Sequence, residues 1–257
     1  YGAIEIPYQI RLLNSLIRTH EDFVVKHSSG SGGVGILVIS GRMKNHYRRT
    51  DGLLVSEEGL KHHVLNILSG MYSLGGQPDK ALIEYRVEFD PVFEAITYLG
   101  VPDVRIIVFH GVPVMSMVRL PTRASEGRAN LHQGAIGAGI NMATGATLTA
   151  VWRNEVVEEH PDTGNTVSDV QIPKWRDLLE LAARCFELTG LGYQGVDIVL
   201  DRVKGPMILE LNARPGLAIQ IANRSGLLPR LRLVERCRRD LQSVQDRVEF
   251  AQKHFSG

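Results

Sequence analysis

Three residues near the end of the chain carry groups that could act together: Asp197, Glu210 and Asn212. They lie in the run Gly195-Val-Asp-Ile-Val-Leu-Asp-Arg-Val-Lys-Gly-Pro-Met-Ile-Leu-Glu-Leu-Asn-Ala-Arg-Pro-Gly216, which reads as two short apolar strands joined by a polar turn. Side chains alternate across a strand, so Glu210 and Asn212 share a face, and a hairpin can bring Asp197 beside them. Two carboxylates and one amide oxygen make a hard, all-oxygen site suited to Mg²⁺ carrying phosphates. The competing reading of these residues is a surface hairpin with ordinary polar groups.

A second segment could hold the phosphates themselves. Ser28-Ser-Gly-Ser-Gly-Gly-Val-Gly35 is too rich in glycine for a regular strand, and it sits between apolar runs over 23–39 that read as strand, loop, strand. Glycines let backbone N–H groups approach phosphate oxygens closely. No Gly-Lys-Ser/Thr ends the loop, and a strand follows where a helix would be needed. It is therefore neither a Walker loop nor a dinucleotide fingerprint. Lys26 precedes it; the alternative for that residue is an exposed lysine beside a hairpin tip. Arg128 and Asn130 lie in Arg128-Ala-Asn-Leu-His-Gln-Gly134. A planar guanidinium can hold phosphate through two bonds, and Asn adds amide contacts. Arg105, Arg119 and Arg214 could hold a substrate carboxylate. For each single arginine the alternative is a surface ion pair worth little.

The elements that must position these groups follow from periodicity and punctuation. Apolar spacing predicts a short amphipathic helix over 8–19, and Ser56 with Glu57 and Glu58 caps a helix through about Ser69. Residues 81–87 read as a strand, and Glu88 to Pro102 as an insertion. Residues 104–110 and 112–120 pair as strands turned by His110-Gly111. Thr122 to Ala143 reads as a functional loop region. Trp175 to Thr189 is a helix ended by Gly190, residues 195–200 and 207–212 are strands, and Ser225 to His254 is basic and helical.

Bulk properties narrow the field. A chain of 257 residues can bury a substantial core as one large domain or two small lobes. A net charge of +1 gives no global pull on nucleic acid or an anionic membrane, so basic function must be local. Acids interrupt the arginines at 230–239, which fits a solvated helix face better than a nucleic-acid site. No apolar run is long enough to span a bilayer, and no signal peptide opens the sequence. Cys185 and Cys237 lack metal spacing, and Cys185 reads as a buried small hydrophobe. A hydrolase elbow and a His-Glu-x-x-His motif are both missing, so hydrolytic nucleophile and zinc chemistry lack support. All of this suits a reducing cytoplasm. Oligomeric state is open, with a homo-oligomer compatible.

Taken in order, these segments resemble the ATP-grasp superfamily, and within it the RimK-type α-L-glutamate ligases and the α-L-glutamate ligase-like proteins. The resemblance covers roughly residues 20 to 225, and its most specific strings are Arg-Ala-Asn-Leu-His and Leu-Glu-Leu-Asn-Ala-Arg-Pro-Gly. It implies an α+β fold with two lobes gripping the nucleotide: a small lobe at 23–83 and a large lobe at 84–225. Residues 1–22 would then be the remnant of a preceding region and 226–257 a basic helical segment. ATP-grasp ligases carry an N-terminal α/β domain ahead of the first loop strand, so the resemblance implies that this domain is absent or truncated here. It assigns Lys26, Ser31, Gly32, Gly33 and Val34 to phosphate, Glu84 and Tyr85 to adenine, and Asp103 to ribose. Arg128, Asn130 and Arg105 become catalytic, and Asp197, Glu210 and Asn212 hold Mg²⁺ or Mn²⁺. The implied activity is an ATP-dependent carboxylate–amine ligase working through an acyl phosphate, its substrates an amino acid resembling glutamate and a peptide or small-molecule carboxylate. The rivals are an ATP-grasp phosphotransferase and a nucleotide-binding regulator without turnover.

Overall fold

The computed structural model describes residues 1–30 and 33–256. The chain divides into two compact units, Tyr1–Val87 and Glu88–Gly257, each with its own apolar core.

The first unit runs β1 (Gly2–Ile4), α1 (Leu13–Ile17), β2 (Phe23–His27), β3 (Leu37–Met43), β4 (His46–Arg49), β5 (Leu54–Ser56), α2 (Glu57–Leu68) and β6 (Ala81–Glu84). Among the described residues its strands form one antiparallel sheet in the order β1-β6-β2-β3-β4-β5. β2 shows why: Phe23, Val25 and His27 are buried, while Val24 and Lys26 between them are half-buried on the other face. α2 starts where the Ser56 hydroxyl accepts the Gly59 N–H at 3.0 Å. It buries Leu60, Val64, Ile67 and Leu68 at helical spacing. The helix expected over 8–19 is shorter. A 3₁₀ turn at Pro7–Leu12 precedes α1, and over this stretch only Leu13 and Ile17, one turn apart, are fully buried. The strand expected over 81–87 stops at Glu84, which pairs with Val24, one residue from the start of β2.

The second unit runs β7 (Asp103–Phe109), β8 (Val112–Leu120), β9 (Ile136–Ile140), β10 (Thr147–Trp152), β11 (Glu155–Val157), α3 (Trp175–Thr189), β12 (Tyr193–Asp201), β13 (Gly205–Asn212), α4 (Ile219–Ala222), α5 (Leu228–Cys237) and α6 (Val244–His254). Its antiparallel sheet has the order β11-β10-β9-β8-β7-β12-β13 among the described residues. One face is apolar, with Val104, Ile106, Val118, Ala138, Val196 and Ile198 in a core shared with α3 and α6. Gly190 ends α3 in the left-handed conformation at φ +67°. Glu88–Pro102 is tied down: Asp90 caps a 3₁₀ turn that buries Phe93 and Ile96, and the Glu88 and Asp90 amides donate to β12. The basic tail is partly internal, since Arg230 donates to the Val114 carbonyl at 2.8 Å and Arg247 pairs with Glu187.

The loop expected over 122–143 contains β9, a strand inside the sheet. Its glycines hid it. A Cβ on Gly139 would stand 2.7 Å from the Ala222 carbonyl oxygen and 2.9 Å from Asn223 Oδ1, so α4 sits directly on the strand. A Cβ on Gly137 would meet Leu131 Cδ2 at 2.8 Å, the end of a side chain that can turn away. Gly139→Ala is therefore expected to cost about 1–3 kcal/mol of stability, and Gly137→Ala less. Urea denaturation of the two variants compares them; equal costs would show that α4 does not constrain the strand.

Candidate active site

The face opposite the apolar core carries the polar groups. Asp197 on β12 lies between Arg105 on β7 and Glu210 on β13, each directly across from it. Its side chain is 0% exposed. A buried carboxylate needs counter-charge and hydrogen bonds, and both are supplied. Arg105 forks onto it, Nε to Oδ1 at 2.7 Å and Nη2 to Oδ2 at 2.6 Å. Arg119 Nη2 adds a bond to Oδ2 at 2.7 Å while the same guanidinium holds Asp103 at 2.5 and 2.6 Å. Asn212 Nδ2 donates to Asp197 Oδ2 at 3.3 Å and to Glu210 Oε1 at 3.1 Å.

Two β-bulges make this cluster possible. From the His110-Gly111 turn, plain register would set Val118 opposite Asp103. A one-residue shift between Ile107 and Val108 sets Arg119 there instead, turned to the Asp197 face. On β13 the shift falls between Asp197 and Ile198, leaving Leu209 as the extra residue and bringing Glu210 opposite Asp197. Sequence reasoning offered Arg119 as a holder of substrate carboxylate and did not place it against Asp197. Pro113, a residue that breaks the ladder, is the signal that could have placed it there.

Burial pushes the Asp197 carboxyl up, but hydrogen bonds from Arg105 and the charges of Arg119 and Arg105 outweigh it, so the group lies below its ordinary range. Asp103 goes the other way. Burial is the largest cause, Arg119 opposes it, the charge on Asp197 adds to it, and the carboxyl is pushed up to about 6.

Asn212 spends its N–H groups on the two carboxylates, which turns its Oδ1 outward as an acceptor, and Glu210 is 56% exposed. These oxygens fit a hard cation that keeps several waters. Asp197 differs: three N–H donors crowd Oδ2 and one occupies Oδ1, so it anchors the face from behind. Among the described residues no group of three or more His, Cys, Asp or Glu forms a metal cluster, so the Asn212 oxygen is needed to complete a donor set.

The remaining expected residues are spread out. Lys26 Nζ pairs with Glu84 Oε2 at 2.8 Å on neighbouring strands, and Tyr85 follows at the end of β6. Gly33 adopts φ +71°, and the Val34 carbonyl accepts from His27 Nε2 at 2.8 Å. Ser31 and Gly32 lie outside the described residues. Three groups pin this loop's base: His27, His63 donating to the Gly35 carbonyl at 3.0 Å, and Asp79 accepting the Ser29 N–H at 2.9 Å; sequence reasoning passed over His27 and Asp79. Asp103 faces Arg119 and is 4% exposed, which removes it from the open position that a ribose contact needs. Arg128 pairs with Glu126 at 3.1 Å on the surface, and Asn130 Oδ1 caps the turn Leu131–Gln133 through the His132 N–H. Neither is bonded to the Asp197 cluster among the described residues. Arg105 is committed to Asp197, and Arg214 is exposed.

Two antiparallel sheets in an α+β chain, one presenting the Asp/Glu-x-Asn face, define an ATP-grasp protein. More narrowly, the chain belongs to the sugar-transfer associated ATP-grasp family, which matches residues 1–236. Similar solved structures include D-cycloserine synthetase DcsG, 15% identical with a TM-score of 0.46, where the match covers 97% of this chain and 64% of that one. The ATP-grasp ligase PsnB complexed with minimal precursor is 13% identical with a TM-score of 0.39, covering 94% and 54%. D-alanine–D-alanine ligase from Bacillus anthracis complexed with ATP is 12% identical with a TM-score of 0.37, covering 95% and 54%. The chain thus spans less than two thirds of each of these proteins, and likenesses this distant add nothing to the family match. No curated protein matches the sequence. Among the described residues no helix is long and apolar enough to cross a membrane.

The raised Asp103 carboxyl has a consequence for stability. Its ordinary value is 3.8 and its folded value about 6, so between these the folded chain binds the extra proton. Stability then falls as pH rises through that window. The stability of the wild type relative to Asp103→Asn is expected to drop by up to about 3 kcal/mol between pH 4 and pH 7. Urea midpoints at three pH values measure this; a difference that stays flat would mean that Asp103 is ionised throughout.

Proposed function

We propose that the chain is an ATP-dependent, ADP-forming carboxylate–amine ligase with the chemistry of the RimK type. The observation that carries this reading is the pairing of an exposed Glu210 with a half-buried Asn212 on a sheet face whose buried Asp197 is fixed by two arginines. The phosphate-binding residues lie in the unit Tyr1–Val87 and the metal-binding residues in the unit Glu88–Gly257. Lys26, Gly33 and Val34, with Ser31 and Gly32, take the phosphates, and Glu84 and Tyr85 the adenine. Glu210 and Asn212 hold Mg²⁺ or Mn²⁺, with Asp197 orienting them; the bound cation neutralises charge on the transferring phosphoryl group.

A substrate carboxylate attacks the γ-phosphorus, forming a C–O–P bond as ADP leaves. An amine then attacks the acyl carbon; the C–N bond forms, phosphate leaves with the C–O electron pair, and the amine's proton passes to solvent. The amine is that of an amino acid such as glutamate, or of a larger molecule carrying one. Arg128 supports the terminal phosphoryl group from the loop that Asn130 caps. Arg105 and Arg119 keep Asp197 charged and in place, so catalysis is mostly positioning and charge neutralisation.

Mass spectrometry of reactions with ATP, Mg²⁺ and panels of amino acids, peptides and carboxylates tests the activity. An ATP-dependent amide with stoichiometric ADP is expected. A phosphorylated hydroxyl product would make the protein a phosphotransferase, and nucleotide binding without any product a regulator. Within the ligase, Arg128→Ala should lower turnover on the order of 10²–10³-fold with ADP affinity nearly unchanged. Wild-type turnover in that variant would remove Arg128 from the site.

A further inference from the structure

The face that carries Asp197 continues across the sheet, and its other end is apolar. Directly paired residues point the same way. Val151 on β10 pairs with Gly137 on β9, Gly137 with Arg119 on β8, and Arg119 with Asp103 on β7. One row over, Gly139 pairs with Met117, Met117 with Arg105, and Arg105 with Asp197. The two glycines let the 131–135 segment and α4 settle onto this end. Between them a cavity of about 120 Å³ opens, walled by Leu131, Ala135, Val151, Ala218 and Ile221. That volume holds roughly four water-sized groups, which matches a branched aliphatic side chain.

The rim carries one strong cation. Arg153 and Asn154 form the turn between β10 and β11, both at positive φ. The Arg153 guanidinium stacks over the Trp152 ring, 4.7 Å from its centroid, which fixes its direction. Among the described residues no carboxylate pairs with it. An oriented guanidinium beside an apolar cavity is complementary to an apolar residue that bears its own carboxylate.

Distance then decides which end of that ligand reacts. With strands about 4.8 Å apart, Val151 on β10 stands three strands from Arg105 and four from Asp197, on the order of 14–19 Å. The carboxylate on Arg153 is therefore not the one that is activated. An extended chain advances about 3.3 Å per residue, so about four to six residues bridge the gap.

We propose that this cavity is a substrate subsite: it binds the apolar C-terminal residue of a short peptide, Arg153 holds the peptide's carboxylate, and the peptide's free N-terminal amine reaches the metal end of the same face as the attacking amine. The C–N bond forms from that amine to the acyl carbon, phosphate leaves with the C–O electron pair, and the amine's proton passes to solvent. The proposal rests on the ligase reading and narrows it, from a glutamate-sized amine to an elongated one.

The test uses the full chain saturated with Mg²⁺ and ADP, and the probe Ala-Ala-Ala-Ala-Leu. Calorimetry compares this peptide, its C-terminal amide and free glutamate on wild type, Arg153→Asn and Ile221→Glu. Asn tolerates the positive φ at 153, and Ile221 is exposed, so both variants should fold; circular dichroism confirms it. The free-acid peptide should bind at least about tenfold more tightly than its amide. Each variant should lose about that factor for the acid, and Arg153→Asn should leave the amide's affinity unchanged. Equal binding of acid and amide, insensitivity to both variants, or no peptide binding at all overturns the subsite. Product analysis keeps the two readings apart. A bound peptide sensitive to Arg153 but never joined into an amide supports the subsite and sinks the ligase. Amide formation with glutamate alone, indifferent to Arg153, does the reverse.

Discussion

A carboxylate with no exposure has to be held by opposite charge, and Asp197 imposes that requirement on the larger unit. Arg105 and Arg119 meet it from two different strands, with Asn212 from a third. Losing one partner of a buried pair costs on the order of 3–5 kcal/mol, because the other charge is left behind. The strand order β8-β7-β12-β13 and the registers within it are therefore tied to the same four side chains that shape the site. With Arg119 shared between Asp197 and Asp103, three carboxylates meet two guanidinia when Glu210 is included. Full ionisation leaves one negative charge in excess on that face, beside oxygens that suit a hard cation.

The sheet face is graded. Glu210, Asp197, Arg105 and Arg119 crowd one end, Met117 and two glycines lie in the middle, and Val151 and the cavity under α4 occupy the other. Glycine serves the middle by what it omits: a methyl group on Gly139 would collide with the α4 backbone. A face that is charged where phosphate chemistry is proposed and apolar further along can hold a substrate by one end and react it at the other. The smaller unit shows the same economy, with the base of its Gly/Ser loop pinned by His27, His63 and Asp79 while the loop's own residues carry no bulky side chains.

Much of this was legible in the sequence, and the exceptions share a cause. The Ser56 cap, the α3 boundary at Gly190, and the β7–β8 and β12–β13 hairpins follow from local signals: a capping hydroxyl, a left-handed glycine, and alternation around turns. The convergence of Asp197, Glu210 and Asn212 was readable from strand alternation, yet the structure achieves it through a bulge at Leu209 that alternation does not announce. The same holds for Arg119, whose side of the sheet is decided by one extra residue near Pro113. β9 was invisible in part because Gly139 answers to α4, far along the chain, and local propensity has no access to that contact. Arg230 read as solvated charge, yet it anchors α5, because what decides its burial is the distant Val114 carbonyl.

The central claim is that Glu210 and Asn212 present a divalent-cation site that works with nucleotide. Electron paramagnetic resonance of Mn²⁺, titrated into the full chain with and without ADP, tests it directly. The account requires one Mn²⁺ bound per chain in the presence of ADP, with loss of the free-ion signal, and at least a tenfold weaker site in Glu210→Gln, on the order expected for removing one charged ligand. Mn²⁺ binding with ADP that is unchanged in Glu210→Gln and in Asn212→Ala would place the cation elsewhere and contradict the site at its core.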